Sequence, residues 1–195
     1  MNLRARLRSA RRGLSSELQQ AHTAAICEHL LCSNLFNSVT CVAVYLSSDG
    51  EVDLNPVIEK LHAGGIKMAA PRIDEAKMSF MWFDPSETLV LNKWGIREPI
   101  AETCVPQTEI TVALVPLVAF TDNGDRLGRG KGYYDRYFKD SEAFLVGIGH
   151  DLQRVESLEQ KAWDRRLDAV VTESGWRVYS RRAEAYLVLA AGNSE

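Results

Sequence analysis

Residues 112–135 read VALVPLVAFTDNGDRLGRGKGYYD, and this segment constrains the fold more than any other. Its first nine residues are an unbroken apolar run with the length of a strand covered on both faces. From Tyr133, YYDRYF reads as the first turns of a helix. Between them Gly128, Gly130 and Gly132 alternate with Arg129 and Lys131. A buried strand that passes through a glycine-rich basic loop into a helix belongs to a layered α/β architecture. Such a loop can hold an anion: backbone N–H groups point at it, the helix start adds positive potential, and missing Cβ atoms permit close approach. Glycines after a strand also serve tight turns, so both uses stay open on these residues alone.

Neither common nucleotide motif is present. A Walker A loop requires Ser or Thr after its Gly-Lys pair, and here Gly132 follows Lys131. The dinucleotide pattern G-x-G-x-x-G fails at Tyr133, where its last glycine would stand.

The rest of the chain alternates in the same α/β manner. An Arg-rich helix is expected at 2–14, and a second from Ser15 or Ser16 to Leu31, with Gln19 as a capping-box partner for Ser16. A third helix starts near Asp53 or Asn55 before Pro56 and ends at Gly64-Gly65. Strands are expected at 39–46, 66–70, 78–83, 112–118, 144–148 and 169–172. The predicted fold is one α/β layered domain over residues 1–180, with a largely parallel central sheet flanked by helices. The tail 181–195 carries an apolar patch between polar flanks and reads as helix or disorder.

Composition excludes several classes. The chain of 195 residues is 46% hydrophobic and 25% charged, which is ordinary for a soluble domain. A net charge of −3 argues against bulk attraction to nucleic acid. The apolar run at 112–120 is too short to span a bilayer. Cys27, Cys32, Cys41 and Cys104 show neither a C-x-x-C pair nor metal-ligand spacing, so buried free thiols in a reducing cytoplasm are expected. His22, His29 and His62 fall on helices without partner spacing for a metal, and His150 reads as packing at a cavity edge. The basic N-terminal helix, with Leu3, Leu7, Ala10 and Leu14 on one face, reads as a solvated face, a presequence, a membrane-surface anchor or a flap over phosphates. No aromatic interleaves its arginines, which speaks against RNA.

Several residues could carry chemistry. Glu51 follows a strand end, where open α/β sheets place ligands, although a turn residue beside Gly50 is the plainer reading. Tyr133, Tyr134, Tyr137 and Phe138 have the spacing of a helix packing stripe, yet Tyr133 at the loop junction could also stack on a flat ring. Asp135 lies one turn past the glycine loop, within reach of phosphates held there, and Asp168 precedes the apolar AVVT; either could cap an element instead.

The order VPLVAF, then GRGKGYYDRYF with Arg126 and Leu127 before it, closely resembles the signature of the 5-formyltetrahydrofolate cyclo-ligase family. So do RARLRSARRGLS, VYLSSDGEVD, KWGIREP and LDAVVTE, in family order, from about Leu3 to Gly175. The resemblance implies ATP-dependent closure of 5-formyltetrahydrofolate, with or without a polyglutamate tail, to 5,10-methenyltetrahydrofolate, with release of ADP and phosphate. A relative that has lost catalysis and only binds folate or nucleotide is the alternative. The implied ATP contacts are Arg4 and Arg8 with Arg126, Leu127, Gly128, Arg129, Gly130, Lys131, Gly132, Tyr133 and Tyr134. Arg4 stands where the family commonly has Lys. The implied folate contacts are Leu46, Glu51, Trp94 and the loop from Arg129 to Tyr133. Arg126, Arg129 and Lys131 would neutralise the transferring phosphoryl group, and Asp135 and Asp168 would hold Mg²⁺. A cytoplasmic monomer with no nucleic-acid or membrane partner is expected.

Overall fold

The computed structural model describes residues 2–74, 77–93, 95–161 and 163–187. Its centre is a seven-stranded sheet in the order β11-β10-β9-β6-β1-β2-β3. The strands are β1 (Cys41–Ala43), β2 (Lys67–Asp74), β3 (Lys77–Phe83), β6 (Val112–Pro116), β9 (Phe144–Ile148), β10 (Ala169–Thr172) and β11 (Gly175–Val178). β2, β1, β6, β9 and β10 pair in parallel, while β3 and β11 close the two edges antiparallel. The expected largely parallel α/β sheet is therefore present. Two short hairpins lie outside it: β4 (Leu89–Leu91) with β5 (Arg97–Pro99), and β7 (Ala119–Phe120) with β8 (Arg126–Leu127).

The helices follow their sequence signals closely. In α1 (Leu3–Arg12) the Asn2 side chain accepts the Ala5 N–H at 2.8 Å. In α2 (Ser16–Leu31) Ser15 is the N-cap, accepting from Leu18 N–H at 3.2 Å. Gln19 donates to the Leu14 carbonyl instead of completing a capping box with Ser16. In α3 (Asn55–Ala63) Pro56 occupies the first turn, and the Asp53 carboxylate accepts the Asn55 N–H. The helix after the glycine loop, α4, is only Tyr133–Tyr137. The first part of the tail is helical, α5 (Arg181–Leu187); residues 188–195 lie outside the described residues.

Apolar side chains fill both faces of the sheet. Ile26 and Leu30 of α2 and Val57, Ile58 and Leu61 of α3 meet Val42, Leu114 and Val146 on one face. On the other, Phe80, Phe138, Ala113, Leu145 and Val170 pack together with Tyr134 and Tyr137. This two-sided burial explains why the strands read as continuous apolar runs instead of alternating ones. The strand expected at 39–46 is regular only over Cys41–Ala43. Tyr45 donates its hydroxyl to the Val52 carbonyl at 2.8 Å, which folds the chain back toward α3.

The chain winds in two directions from the middle of the sheet. From β1 it proceeds outward to β2 and β3; from β6 it proceeds the other way through β9, β10 and β11. The reversal between β1 and β6 makes their carboxyl ends diverge into separate loops, opening a crevice where ligands of open α/β sheets bind.

Candidate active site

A cavity of about 720 Å³ occupies that crevice. The loop after β1 supplies Tyr45, Leu46, Ser48, Asp49 and Glu51, and the end of β6 supplies Pro116 and Leu117. Pro71, Ile73 and Met78 of the β2–β3 pair form an apolar wall, with Gly95, Ile96 and Arg97 beside it. The β7–β8 hairpin turns the chain back to the cavity. Its Gly124 has φ 78°, and a Cβ there would stand 2.9 Å from the Leu167 carbonyl oxygen, so only glycine fits. The turn delivers Arg126, Gly128, Arg129, Lys131, Gly132, Tyr133, Tyr134 and Asp135 to the cavity wall. Gly130 and Gly132 take φ values of 108° and 64°, left-handed conformations that a side chain would strain.

The two sides of the cavity are joined by an ion pair. Arg129 Nη2 lies 2.9 Å from Glu51 Oε1, and the same nitrogen donates to the Ser48 hydroxyl at 2.7 Å. The Glu51 side chain is only 7% exposed, and its other oxygen accepts the Ser48 N–H at 3.2 Å. This buried, multiply held carboxylate is built for more than a solvated turn. Arg126, buried at the cavity floor, donates to Asp135 Oδ1 at 2.7 Å and to the Pro116 carbonyl at 3.2 Å. Its guanidinium also lies over the Tyr134 ring. Burial raises the Tyr134 phenol well above its ordinary value, so it stays a neutral donor.

The arginines of α1 face this crevice through Asp49. Arg11 is 1% exposed and donates to the Asp49 carboxylate and carbonyl and to the Leu117 carbonyl. Arg8 and Arg12 reach the same carboxylate at 2.8 and 3.2 Å. Burial pulls the Asp49 pKa up, but the Arg8 hydrogen bond and the surrounding arginines outweigh it, and the net direction is down. Asp49 holds φ 57°, a left-handed conformation that a short polar side chain tolerates. Leu7 is buried against Val118 and Ala119, so α1 docks on the body through its apolar face. Arg11 and Asp49 are the structural residues that the sequence reading missed. The buried arginine carried no local signal beyond its place in a basic helix.

The structure brings together Arg8, Leu46, Glu51, Arg126, Gly128, Arg129, Lys131, Gly132, Tyr133, Tyr134 and Asp135 around one cavity. Arg4 reaches the outer side of the glycine loop, donating to the Gly128 carbonyl at 3.1 Å, and Gly130 faces it. Leu127 packs with Leu3 and Leu7 under α1 and so supports the loop from behind. Trp94 lies outside the described residues. Asp168 is not brought to the cavity. It precedes β10 and bonds Leu145 at the start of β9, which places it at the amino edge of the parallel strands. Both its oxygens are taken by Arg182, at 2.7 and 2.6 Å. Asp135 and Asp168, which the resemblance grouped as metal ligands, thus stand at opposite edges of the sheet, Asp135 on the cavity and Asp168 away from it. His22 also departs from expectation, since it meets His150 at 3.0 Å.

Comparison with known proteins points one way. The model of the 5-formyltetrahydrofolate cyclo-ligase family matches residues 1–173, which include every cavity residue named above. The 5-formyltetrahydrofolate cyclo-ligase of Escherichia coli K12 is 35% identical over 176 residues, spanning 86% of this chain and 97% of its own. That of Mus musculus is 27% identical over 186 residues, spanning 88% and 92%. The solved structure of Aquifex aeolicus 5,10-methenyltetrahydrofolate synthetase is similar at a TM-score of 0.81 and 31% identity, with 91% of each chain covered. Likeness of this extent, running through the helix, loops and strands that enclose the cavity, makes this chain a member of the 5-formyltetrahydrofolate cyclo-ligase family.

Proposed function

We propose that this chain converts 5-formyltetrahydrofolate and ATP to 5,10-methenyltetrahydrofolate, ADP and phosphate in the cavity at the β1–β6 switch point. The observation that carries the reading is the facing of Glu51 and the glycine loop across one cavity, joined by Arg129. One side suits a ring with guanidine-like donors, the other suits phosphates.

The formyl oxygen is a poor leaving group and must be activated. Its attack on the γ-phosphorus forms an O–P bond while the bond to the bridging oxygen breaks and ADP departs. N10 then adds to the activated carbon, loses its proton, and the C–O bond breaks with release of phosphate. The reaction asks the protein for alignment and for stabilisation of developing charge. Arg129 and Lys131 present cations from the loop, and Arg126 supplies a fixed positive charge held by Asp135 and the Pro116 carbonyl. The loop N–H groups of Gly128, Gly130 and Gly132, with Tyr134 and Leu127 behind, seat the phosphates, and Arg4 and Arg8 close them from α1. Glu51 fixes the pterin ring against Leu46, with Tyr133 and Trp94 as stacking surfaces. Because Glu51 also holds Arg129, folate binding at Glu51 changes what Arg129 is free to contact.

Mg²⁺ fits the cavity side of this arrangement. A hard cation takes one or two carboxylates plus phosphate and water oxygens, and the acidic donors here are oxygens only. Asp135 would hold it through the oxygen opposite the Arg126 bond, and the ion would neutralise phosphate charge. Asp168, held by Arg182 at the other edge of the sheet, is left out of this reading. No helix among the described residues is long and apolar enough to cross a membrane. A cytoplasmic monomer without nucleic-acid partner completes the reading.

The test is to mix protein, MgATP and 5-formyltetrahydrofolate and follow the absorbance of the methenyl product. Formation that requires all three supports the reading. Tight binding of both ligands without product would leave a binding protein instead.

A further inference from the structure

At the carboxyl ends of β9 and β10 three metal-ligating side chains converge, none of which lines the cavity. His150 follows β9, Glu173 follows β10, and His22 comes from α2 above them. Their ligand atoms all lie within 4.8 Å of one another. His22 Nδ1 stands 3.0 Å from His150 Nδ1 and 3.4 Å from Glu173 Oε1. A tetrahedral ion with bonds near 2.0 Å separates its ligand atoms by about 3.3 Å, so two of these three spacings already match.

Hydrogen bonding alone fits the trio poorly. The atoms are two ring nitrogens and a carboxylate oxygen, and with neutral rings a single N–H at most serves the short His–His contact. With that proton on His150, His22 Nδ1 and the Glu173 oxygen are left as two acceptors 3.4 Å apart. Nε2 of His150 has no hydrogen-bond partner either, although the residue is 1% exposed. A dication satisfies all three acceptors at once. Burial lowers the His150 pKa, which favours the neutral imidazole that a metal requires.

The supports of the trio are also in place. Both oxygens of Glu173 accept the Asp151 N–H, at 3.2 and 3.1 Å. The His150 N–H donates to Gln153 Oε1 at 2.9 Å, and Gln153 is itself fixed by the carbonyls of Leu117 and Val118. Ligands held by outer hydrogen bonds are pre-aimed. His22 and Glu173 are each 19% exposed, which leaves an approach from solvent.

We propose that His22, His150 and Glu173 bind one divalent transition-metal ion of the zinc class, with water completing the coordination, and that the ion clamps α2 to the carboxyl edge of the sheet. Two imidazoles and one carboxylate suit Zn²⁺ and Co²⁺ and suit Mg²⁺ poorly. None of the three ligands lines the cavity, and the proposal does not depend on the reaction assigned there.

The full chain, stripped with chelator, would be titrated with Zn²⁺ by calorimetry and with Co²⁺ by visible absorption. One equivalent should bind, the Co²⁺ complex should show the intense bands of low coordination number, and Zn²⁺ should raise the melting temperature. His150→Phe and Glu173→Gln should each weaken binding by more than about tenfold, whereas His62→Gln should not. If His150→Phe fails to fold, His22→Gln on the outer helix gives the same reading. No stoichiometric binding, or binding unchanged in all three ligand variants, would overturn the proposal. In that case the trio is a hydrogen-bonded histidine pair and any zinc resides on thiols.

Discussion

Asp135 and Asp168 are each a buried carboxylate gripped by one arginine, Arg126 at 2.7 Å and Arg182 at 2.6 Å. In chemistry they are nearly interchangeable. Their places differ. Asp135 opens a helix that follows a strand, so it lies where loops leave the carboxyl edge and enclose the cavity. Asp168 leads into a strand, so it lies at the amino edge, where its ion pair fastens α5 beneath β9 and β10. A carboxylate beside a strand thus acquires a functional or structural setting from the end of the strand it occupies.

The sharpest way to break this comparison is to neutralise the two arginines. Arg126→Met removes a fixed cation from the cavity, and turnover should fall by about 10²–10³, the range for losing one preorganised charge-stabilising group. Arg182→Met should destabilise the fold while the folded enzyme keeps its turnover. Equal kinetic losses in both would mean that the amino-edge pair also reaches the reaction.

Asp168→Asn addresses the structural half. The pair is partly open on the arginine side, so breaking it should cost about 3 kcal/mol in denaturant titration, with the ATP and folate constants unchanged. Acid provides a second reading. Burial raises the Asp168 pKa, but the Arg182 and Leu145 hydrogen bonds outweigh it, and the net shift is downward. A depressed carboxylate stabilises the fold above its unfolded pKa and loses that contribution as pH falls through the folded value. The stability gap between parent and Asp168→Asn should therefore hold at neutral pH and close below about pH 4. A gap that persists undiminished into strong acid would assign the loss to packing.

Asp135→Asn probes the functional half with a smaller effect. It keeps shape and one acceptor for Arg126 but removes the charge offered to a cation. The Mg²⁺ concentration for half-maximal rate, at saturating ATP and folate, should rise several-fold, and Asp168→Asn should overlay the parent. Overlay of both variants with the parent would leave the metal held by ATP alone.

What could be read from sequence was local. The glycine loop, the cap at Ser15, Pro56 at a helix start and the apolar central strands are each written within a few adjacent residues, and they reappear in place. The short pairings β4–β5 and β7–β8 were not legible, since two or three residues carry no periodicity. Contacts between distant segments were hidden for a different reason. Arg11 gives no sign that it will be buried against Asp49 and Leu117, nor do His22, His150 and Glu173 share a spacing. The edge on which Asp168 lies is hidden in the same way, because the direction of β10, which decides it, emerges only from strand pairing.

The smallest effect is expected at Arg8, and it tests how far the cavity side of the comparison extends into α1. Arg8 lines the cavity, but its Nε is already committed to Asp49, and its side chain is 37% exposed. Asp49 keeps Arg11 and Arg12 when Arg8 is removed, so the loop should hold its conformation. Arg8→Ala should therefore lower stability by less than about 1 kcal/mol, as for other partly exposed pairs. Its contact to phosphate, through the part of the guanidinium not facing Asp49, should raise the ATP constant by roughly fivefold to tenfold with turnover nearly unchanged. Arg8→Lys should restore the ATP constant only in part, because one ammonium cannot hold Asp49 and a phosphate in the same fork geometry. Should Arg8→Ala instead lower stability by as much as Asp168→Asn and leave the ATP constant alone, α1 is a structural strap like α5, and the functional edge of the molecule ends at the glycine loop.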